Sequence, residues 1–395
     1  MASPFTLLQI IPSLNAGGAE RTTVEIARAV IETGGRSLIA SSGGSFSGAL
    51  AQLGADLIEM PVHSKSPAVI WSNAQRLAEI VSREQVSLVH ARSRAPGWSA
   101  RSAAKRTGVP YVATHHGMYR ADNRWKRIYS AGLTKADIVI ANSRFIADAM
   151  VSGGVDEKRI RVIPRGADMD MFNGALVNQT RVKSLEQHWA LKDAGQLLEI
   201  RCLLPARFTD WKGHKVAIEA AAILKNAKGY GHEHKISLVF CGGARDGGNY
   251  KTSLRAYVDE CGVADMVRIV GECADMAAAY QWADIVVAPS TKPEPFGRTV
   301  IEAGAMETPV IASAHGGACE TIIDQTTGYL IAPNSAPALA DTIDHLVKIG
   351  AKARADIGQR ARDHIDQNFS CSAMCSATLH VYEELLGNSV GAQSC

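Results

Sequence analysis

Two glutamates flank the predicted start of a helix in the segment EPFGRTVIEAGA. Glu294 and Glu302 are separated by seven residues, and Gly297 between them permits a tight turn. The backbone amides of Arg298 and Thr299 have no helical acceptors at such a helix start, so they can bind an anion. The carboxylate of Glu302, one turn later, can accept hydrogen bonds from vicinal hydroxyls such as those of a ribose. We expect phosphate at the helix start and hydroxyls at the two carboxylates, with helix capping by each glutamate as the alternative.

Two cations, Arg207 and Lys212, follow a predicted strand in the segment PARFTDWKGHK. The guanidinium fork and the ammonium point charge are both suited to phosphate oxygens. Because the carboxyl ends of parallel strands lie at one edge of a sheet, we expect these cations at the same edge as the two glutamates. The pair is typical of a diphosphate site, and exposed surface charges without a ligand are the alternative.

A glycine pair, Gly17 and Gly18, follows the first predicted strand in the segment SLNAGGAER. Glycines let backbone amides approach an anion closely, and a helix start adds about half a positive charge. The segment lacks the G-x-G-x-x-G spacing of a dinucleotide fingerprint. It predicts either an anion site or a plain turn from strand to helix.

Short apolar runs alternate with helix-length segments along the chain, as in FTLLQIIPS followed by AERTTVEIARAVIETGG. Strands separated by helices favour parallel pairing with crossover helices. The alternation pauses in a polar stretch after about residue 173 and resumes after residue 195. The sequence predicts an α/β fold of two doubly wound Rossmann-like domains that face each other across a cleft. We expect them at 1–180 and 195–375, with a C-terminal helix and tail at 376–395 that can cross back to the first domain.

The composition is ordinary for a globular protein, with 395 residues of which 46% are hydrophobic and 21% charged. No apolar run reaches the roughly 18 residues that predict a membrane span. The opening MASPFTLLQIIPSL lacks the basic start and cleavage site of a signal peptide, so we expect a cytoplasmic protein. The eight cysteines include no C-x-x-C pair, which argues against a zinc site or a disulfide framework.

Positive charge is concentrated in the first half of the sequence. Residues 1–180 contain 21 Lys and Arg against 14 Asp and Glu, net +7, whereas the remaining residues contain 21 against 25, net −4. Between Arg92 and Arg127, nine cations accompany a single acidic residue, Asp122. Nucleic acid, an anionic membrane surface or an acidic substrate could use such a patch, and a solvated face is the alternative.

Seven segments together resemble the family-4 retaining glycosyltransferases, whose twin-Rossmann architecture is the GT-B fold. In chain order they are GGAE after the first strand, THHG at 114–117, ANS at 141–143, VIPRGAD at 162–168, ARFTDWKG at 206–213, EPFGRTVIE at 294–302 and HGGACE at 315–320. The two glutamates with the Arg and Lys loop before them are the most specific part. The resemblance covers nearly the whole chain, and it implies that residues 1–180 form the acceptor side and residues 195–375 the donor side.

The resemblance implies a nucleotide diphosphate sugar as donor, a UDP- or GDP-sugar, with no further cofactor. The residues that it places at the donor are Arg207 and Lys212 at the diphosphate, Glu302 at the ribose, Glu294 at the transferred sugar, and Gly17 and Gly18 at the phosphates. Gly297, Arg298 and Thr299 join them as the helix start that we expect to bind phosphate. His116 would contact the transferred sugar and completes a catalytic set with Glu294, Arg207 and Lys212. One position departs from the family pattern, because Arg165 stands where the family usually has asparagine.

The predicted chemistry needs a stabilised leaving group more than an enzymatic nucleophile. Departure of a nucleoside diphosphate builds negative charge that cations and helix amides can hold without a metal. Asp168 and Asp170 have the D-x-D spacing that binds a divalent metal in a different glycosyltransferase fold, but here they follow a turn, and we expect no metal site.

The leading interpretation is a hexosyltransferase that builds a glycolipid or polysaccharide, with a lipopolysaccharide core as one example. It would bind an anionic glycolipid or saccharide acceptor and make transient contact with the inner membrane surface, as a peripheral protein. A sugar-nucleotide epimerase of the same architecture is one alternative, and it would need no acceptor. A nucleic-acid-binding protein is the other, but Trp98, Tyr119 and Trp125 are scattered rather than repeated, which argues against base stacking along a strand.

Overall fold

The computed structural model describes residues 5–15, 17–117, 124–191, 198–227, 234–244 and 247–392. The chain divides into two compact units, one formed by Met1–Arg165 with Cys371–Cys395 and the other by Gly166–Ser370. We call them the N-terminal unit and the C-terminal unit. Within the described residues each unit is built on one parallel sheet with helices between the strands, which confirms the predicted class of two Rossmann-like α/β domains.

The N-terminal unit is a seven-stranded sheet flanked by helices. Its strands are β1 (Thr6–Ile10), β2 (Arg36–Ser41), β3 (Asp56–Glu59), β4 (Leu88–Ala91), β5 (Tyr111–His115), β6 (Ile138–Ala141) and β7 (Ile160–Val162), and its helices are α1 (Gly18–Glu32), α2 (Ser47–Gln52), α3 (Pro67–Arg83), α4 (Arg94–Thr107), α5 (Arg124–Thr134) and α6 (Arg144–Ser152). The strand order is β3-β2-β1-β4-β5-β6-β7. The order reverses between β1 and β4, and in open parallel sheets such a reversal is where ligands bind, beyond the carboxyl ends of the strands.

The C-terminal unit repeats this plan with six strands. They are β8 (Leu198–Pro205), β9 (His234–Cys241), β10 (Val267–Ile269), β11 (Ile285–Ala288), β12 (Val310–Ser313) and β13 (Tyr329–Ile331), with helices α7 (Gln179–His188), α8 (His214–Lys225), α9 (Asn249–Glu260), α10 (Met276–Trp282), α11 (Arg298–Ala305), α12 (Ala318–Thr321), α13 (Ala336–Lys348) and α14 (Gly350–Phe369). The strand order β10-β9-β8-β11-β12-β13 reverses between β8 and β11. β11 and β12 are apolar over most of their length because helices cover both faces of the sheet.

The chain leaves the N-terminal unit earlier than residue 180, where the sequence placed the boundary. Aromatic packing explains the difference. Phe172 lies edge-on to Tyr280, with 5.9 Å between ring centres, and Trp189 lies edge-on to Trp282 at 5.5 Å. The polar stretch after residue 173 is therefore part of the C-terminal unit rather than a linker.

The last helix, α15 (Cys371–Ala392), belongs to the N-terminal unit, as a crossing helix would. It begins a few residues before position 376, where the sequence placed its start. Its buried side chains Met374, Val381 and Tyr382 share an apolar cluster with Ile26 and Val30 of α1. Burial of this apolar face stabilises the packing of the last helix on the N-terminal unit.

Candidate active site

In the C-terminal unit, the two predicted cations follow β8. Arg207 is exposed directly after the strand, and Lys212 ends a short 3-10 turn, Asp210–Lys212. The Lys212 ammonium lies 4.5 Å from the centre of the Trp211 ring. The aromatic face limits the directions that the ammonium can take, so its charge is held near the carboxyl edge of the sheet.

The loop after β11 brings Glu294 to Lys212. The Lys212 Nζ and Glu294 Oε2 atoms are 2.7 Å apart, and the two side chains are only 13% and 18% exposed. Ser290 donates a hydrogen bond to the other carboxylate oxygen of Glu294. The sequence assigned Lys212 and Glu294 to different parts of a ligand, whereas in this structure the two charges are paired directly.

The helix after this loop, α11, begins as predicted between the two glutamates. Gly297 caps it in the left-handed region, with φ of 89°, and Thr299 Oγ1 donates to the carbonyl of Pro205 at the end of β8. Glu302 accepts from Tyr280 Oη at 3.1 Å and from Arg298 Nε at 3.2 Å. Burial first, and then the Glu302 carboxylate, raise the pKa of Tyr280, which keeps its hydroxyl a donor.

The loop after β12 packs against the loop that carries Glu294. Gly317 N donates to the carbonyl of Glu294 at 2.9 Å, and a Cβ atom on Gly317 would lie 2.4 Å from the Cα atom of Phe296. Only glycine fits there. His315, just before, lines a small cavity with Glu294 and Ser290, and its ring nitrogens are buried without a hydrogen-bond partner in the described part of the chain.

In the N-terminal unit, α1 begins at the predicted glycine pair, with Gly17 as its cap and Gly18 as its first residue. The carboxylate of Glu20 folds back toward this helix start, so closely that a Cβ atom on Gly17 would lie 2.2 Å from Glu20 Oε2. A carboxylate is favoured there by the same amides and helix dipole that would favour a phosphate. The sequence analysis did not predict that Glu20 would lie at this helix start, although its position in the first turn of α1 could have indicated it.

Arg92 is buried, at 1% exposure, and does not contribute to the basic surface patch that the sequence predicted. It follows β4 directly, and its Nε atom donates to Gln9 Oε1 of β1 at 2.7 Å. His90, two residues earlier, contacts Tyr382 Oη at 2.6 Å and Thr114 Oγ1 at 2.7 Å. The side chain of Arg92 is enclosed because two neighbouring strands and the crossing helix α15 meet around this position.

His116 and Arg165 meet at the carboxyl edge of the same sheet. Arg165 Nη2 lies 2.6 Å from His116 Nδ1, and Arg165 Nη1 donates to the carbonyl of Gly18 at 2.7 Å and to Thr22 Oγ1. Burial first, and then the charges of Arg165 and Arg92, hold the pKa of His116 well below its usual value. The structure thus joins three predicted positions, Gly18, His116 and Arg165, through one guanidinium group.

A cavity of about 20 Å³ lies beside this contact, lined by Thr22, His90, Arg92, Asn142 and Arg165. That volume is enough for one water molecule. Burial, and after it the charge of Arg94, lower the pKa of the neighbouring His115 to about 4. The imidazoles on this edge are therefore neutral hydrogen-bonding groups at neutral pH.

Asp168 uses its carboxylate within its own turn. Its Oδ1 atom accepts from the backbone amides of Asp170 and Met171. No group of three His, Cys, Asp or Glu side chains that could hold a metal occurs among the residues that the structure describes.

Both halves of the chain match known family models. The model "Glycosyltransferase Family 4" matches residues 16–171, and the model "Glycosyl transferases group 1" matches residues 199–364. Among curated relatives, the D-inositol 3-phosphate glycosyltransferase of Salinispora arenicola is 30% identical over 320 residues, which cover 75% of this chain and 68% of that protein. The protein of the same name from Xylanimonas cellulosilytica is 30% identical over 312 residues, which cover 73% of this chain and 69% of that protein.

Solved structures show the same fold. A glycosyltransferase from Rickettsia africae is 33% identical with a TM-score of 0.88, over 98% of this chain and 100% of that one. Anabaena Alr3699/HepE, solved in complex with UDP and glucose, is 21% identical with a TM-score of 0.81, over 96% of this chain and 100% of that one. The family models, the relatives and the fold together identify a sugar-transferring enzyme of GT-B architecture. The chain belongs to the family-4 glycosyltransferases.

Proposed function

We propose that this enzyme transfers a hexose from a nucleotide diphosphate sugar to an acceptor hydroxyl with retention of the anomeric configuration. The observation that carries the proposal is the meeting of Lys212, Glu294 and the start of α11 at the carboxyl ends of β8 and β11. A cation and unsatisfied helix amides suit a diphosphate, and a carboxylate beside them suits sugar hydroxyls. In this assignment Glu302 binds the ribose.

The site must stabilise the negative charge of the leaving group. When the bond between the anomeric carbon and the β-phosphate oxygen breaks, negative charge collects on that phosphate. Lys212, Arg207 and the amides of Arg298 and Thr299 stabilise this charge without a metal, each well-placed donor being worth about 3–4 kcal/mol. Lys212 carries three N–H donors, so it can bind a phosphate oxygen and keep its contact with Glu294.

Retention follows from attack on the face that the leaving group departs from. The acceptor oxygen forms its bond to the anomeric carbon there, and the acceptor proton passes to the departing phosphate oxygen. The enzyme then needs no nucleophile of its own, and His116 serves as a contact to the transferred sugar. The role of Gly17 and Gly18 is to meet the phosphates, after the Glu20 carboxylate has moved aside.

The proposed acceptor is an anionic saccharide or glycolipid. Residues 1–180 carry a net charge of +7, which favours an anionic acceptor on this part of the chain. The curated relatives are named for D-inositol 3-phosphate, which is likewise an anionic polyol. A lipopolysaccharide core is one acceptor of this class, and a phosphorylated polyol is another.

A donor panel tests this proposal. The protein is heated with UDP-, GDP- and ADP-hexoses in the presence of a chelator. A true donor at 100 times its dissociation constant adds about 2.7 kcal/mol, which raises the melting temperature by roughly 5–10 °C. We expect one base to stand out, turnover to persist in the chelator, and the product to keep the donor's anomeric configuration.

Other outcomes of the panel separate the alternatives. Release of nucleotide and an altered sugar without any acceptor would instead identify an epimerase. Loss of turnover in the chelator with rescue by manganese or magnesium would indicate a metal-dependent reaction, with Asp168 and Asp170 as candidate ligands. An inverted product would overturn the proposed geometry of attack.

We further propose that the protein works at the cytoplasmic face of the membrane through α4 and α5. Lys105 and Arg106 of α4 and Lys126 of α5 are exposed, and Ile128, two residues after Lys126 in α5, exposes 44% of its surface. Cations next to an exposed apolar side chain are suited to an anionic bilayer surface. Of the other predicted patch residues, Arg120 lies outside the described residues. No helix of the described chain has the length and apolar character needed to cross a membrane.

Replacing Lys105, Arg106 and Lys126 together with Gln tests this surface. Each cation near an anionic membrane is worth about 1 kcal/mol at low salt, so the triple variant should bind phosphatidylserine vesicles at least about tenfold more weakly. The control replaces Lys183, Arg255 and Lys352, which are exposed on the C-terminal unit, and removes the same charge. Equal vesicle binding by the two triple variants would reduce α4 and α5 to a solvated face.

A further inference from the structure

Arg165 fixes the hydrogen-bonding form of His116. The guanidinium is always charged and carries only donors, so it cannot accept a hydrogen bond from an imidazole. The 2.6 Å contact between Arg165 Nη2 and His116 Nδ1 therefore requires a lone pair on Nδ1. The ring proton of a neutral imidazole must then sit on Nε2.

The guanidinium itself is held in place by contacts with α1. Arg165 is 6% exposed, and its Nη1 atom donates to the carbonyl of Gly18 and to Thr22 Oγ1. Thr22 in turn donates to the same carbonyl at 2.8 Å. Because the fork is planar and rigid, these contacts also fix the direction from which Nη2 approaches the imidazole.

The other ring nitrogen of His116 has its hydrogen-bonding capacity unused. His116 Nε2 is buried and has no hydrogen-bond partner among the residues that the structure describes. A buried N–H without a partner costs about 1–3 kcal/mol, so a ligand oxygen that accepts from it is favoured. Hydroxyl and ring oxygens of a sugar are such acceptors.

We propose that Arg165 is a positioning residue that holds His116 as a neutral donor, with Nε2–H aimed at an oxygen of the transferred sugar. This inference rests on the proposed function for the identity of the ligand. It deepens that function because a histidine held in this form cannot act as a base: Nδ1 is occupied and Nε2 already carries its proton. The acceptor proton then has the departing phosphate as its destination.

The charged and titratable groups around His116 lower its pKa. They are Arg165 after β7, Arg92 and His90 on and after β4, and His115 beside it, and each of them disfavours the imidazolium. Removing the charge of Arg165 takes away one cause of the low pKa of His116. The pKa then rises, so the imidazolium fraction grows as the pH falls.

The test uses the full chain with ¹⁵N-labelled histidine. The His116 resonance is assigned by its loss in His116→Gln. In the wild type we expect the Nε2–H tautomer, without titration, from about pH 5.5 to 8. In Arg165→Gln, whose amide can accept as well as donate, we expect the Nδ1–H tautomer to appear beside the Nε2–H tautomer, and turnover at least about tenfold lower, while KM for the donor changes little. Arg165→Lys, which keeps the charge but has no fork, should keep the low pKa and lose turnover.

The control is Arg159→Gln, since Arg159 donates to backbone carbonyls of Thr134 and Ala136 and so tests the loss of a structural arginine. It should leave the His116 resonance unchanged. A wild-type His116 protonated on Nδ1, or an Arg165→Gln resonance identical to wild type, would overturn the proposal. Full activity of His116→Gln would instead refute the contact with the sugar and leave the tautomer assignment standing, so the two failures are distinguishable.

Discussion

Lys212→Ala should lower the turnover number about a hundred- to a thousandfold. In the proposed function the ammonium is a positioned donor for the charge that develops on the leaving phosphate, and removal of such a donor costs about 2.7–4 kcal/mol of transition-state stabilisation. Part of the loss will come from Glu294, whose partner at 2.7 Å disappears. Steady-state kinetics at saturating donor measure the effect.

Two controls separate this effect from damage to the fold. Lys225→Ala removes another ion-paired lysine, whose Nζ lies 2.6 Å from Asp265. Lys225 ends α8 and so lies at the opposite edge of the sheet, where it should not affect turnover. Lys212→Ala with Glu294→Gln should lose little more than Lys212→Ala alone, because contacting residues are not additive. Independent, additive losses would show that the ion pair has no part in catalysis.

The two glutamates should separate kinetically. Glu302→Gln keeps the shape of the side chain but removes the charge that would bind ribose hydroxyls equally in the ground and transition states. A hydrogen bond to a charged group is worth about 1.5–3 kcal/mol, so KM for the donor should rise roughly ten- to a hundredfold. Glu294→Gln should mainly lower the turnover number, because Glu294 is paired with Lys212, the cation that we propose stabilises the developing charge.

The structure shows which neighbouring side chains each of these two substitutions would also affect. Glu302 is held by Tyr280 and Arg298, and Glu294 by Ser290 and Lys212, so each variant also disturbs its partners. Glu260→Gln is the control, because this exposed carboxylate ends α9 at the far edge of the sheet. If Glu294→Gln and Glu302→Gln change the same kinetic constant by the same factor, the proposed division of roles is wrong.

The two-domain architecture was predictable because apolar strands and helix-length segments alternate without interruption in each half. The boundary was not, because the polar stretch after residue 173 gives no sign that Phe172 and Trp189 pack against Tyr280 and Trp282. An aromatic partner about a hundred residues away leaves no local pattern. The sequence also placed the start of α15 a few residues too late, because the apolar face of this helix packs against α1, which is distant in the sequence.

The positions of Lys212, Gly297 and Glu302 in the fold were predictable, because each lies in a loop or helix start that follows a strand, whereas their roles at a donor are a proposal. Contacts between loops were not, since the pairing of Lys212 with Glu294 depends on the neighbouring order of β8 and β11. Charge counts were misleading for Arg92, because a cluster of cations in sequence does not reveal which of them is enclosed by strands. The sequence showed Arg165 only as a departure from a family pattern. The structure shows what this side chain does, which is to contact His116.

A calorimetric titration of the preferred nucleoside diphosphate into wild type and Lys212→Ala tests directly whether this edge of the sheet binds the donor. We propose that the diphosphate binds at Lys212 and the start of α11, so the variant should bind it at least about tenfold more weakly while its unfolding transition stays cooperative. Lys225→Ala should bind as the wild type does. Equal affinity of the nucleoside diphosphate for Lys212→Ala and wild type would contradict the assignment of this edge of the sheet to the donor.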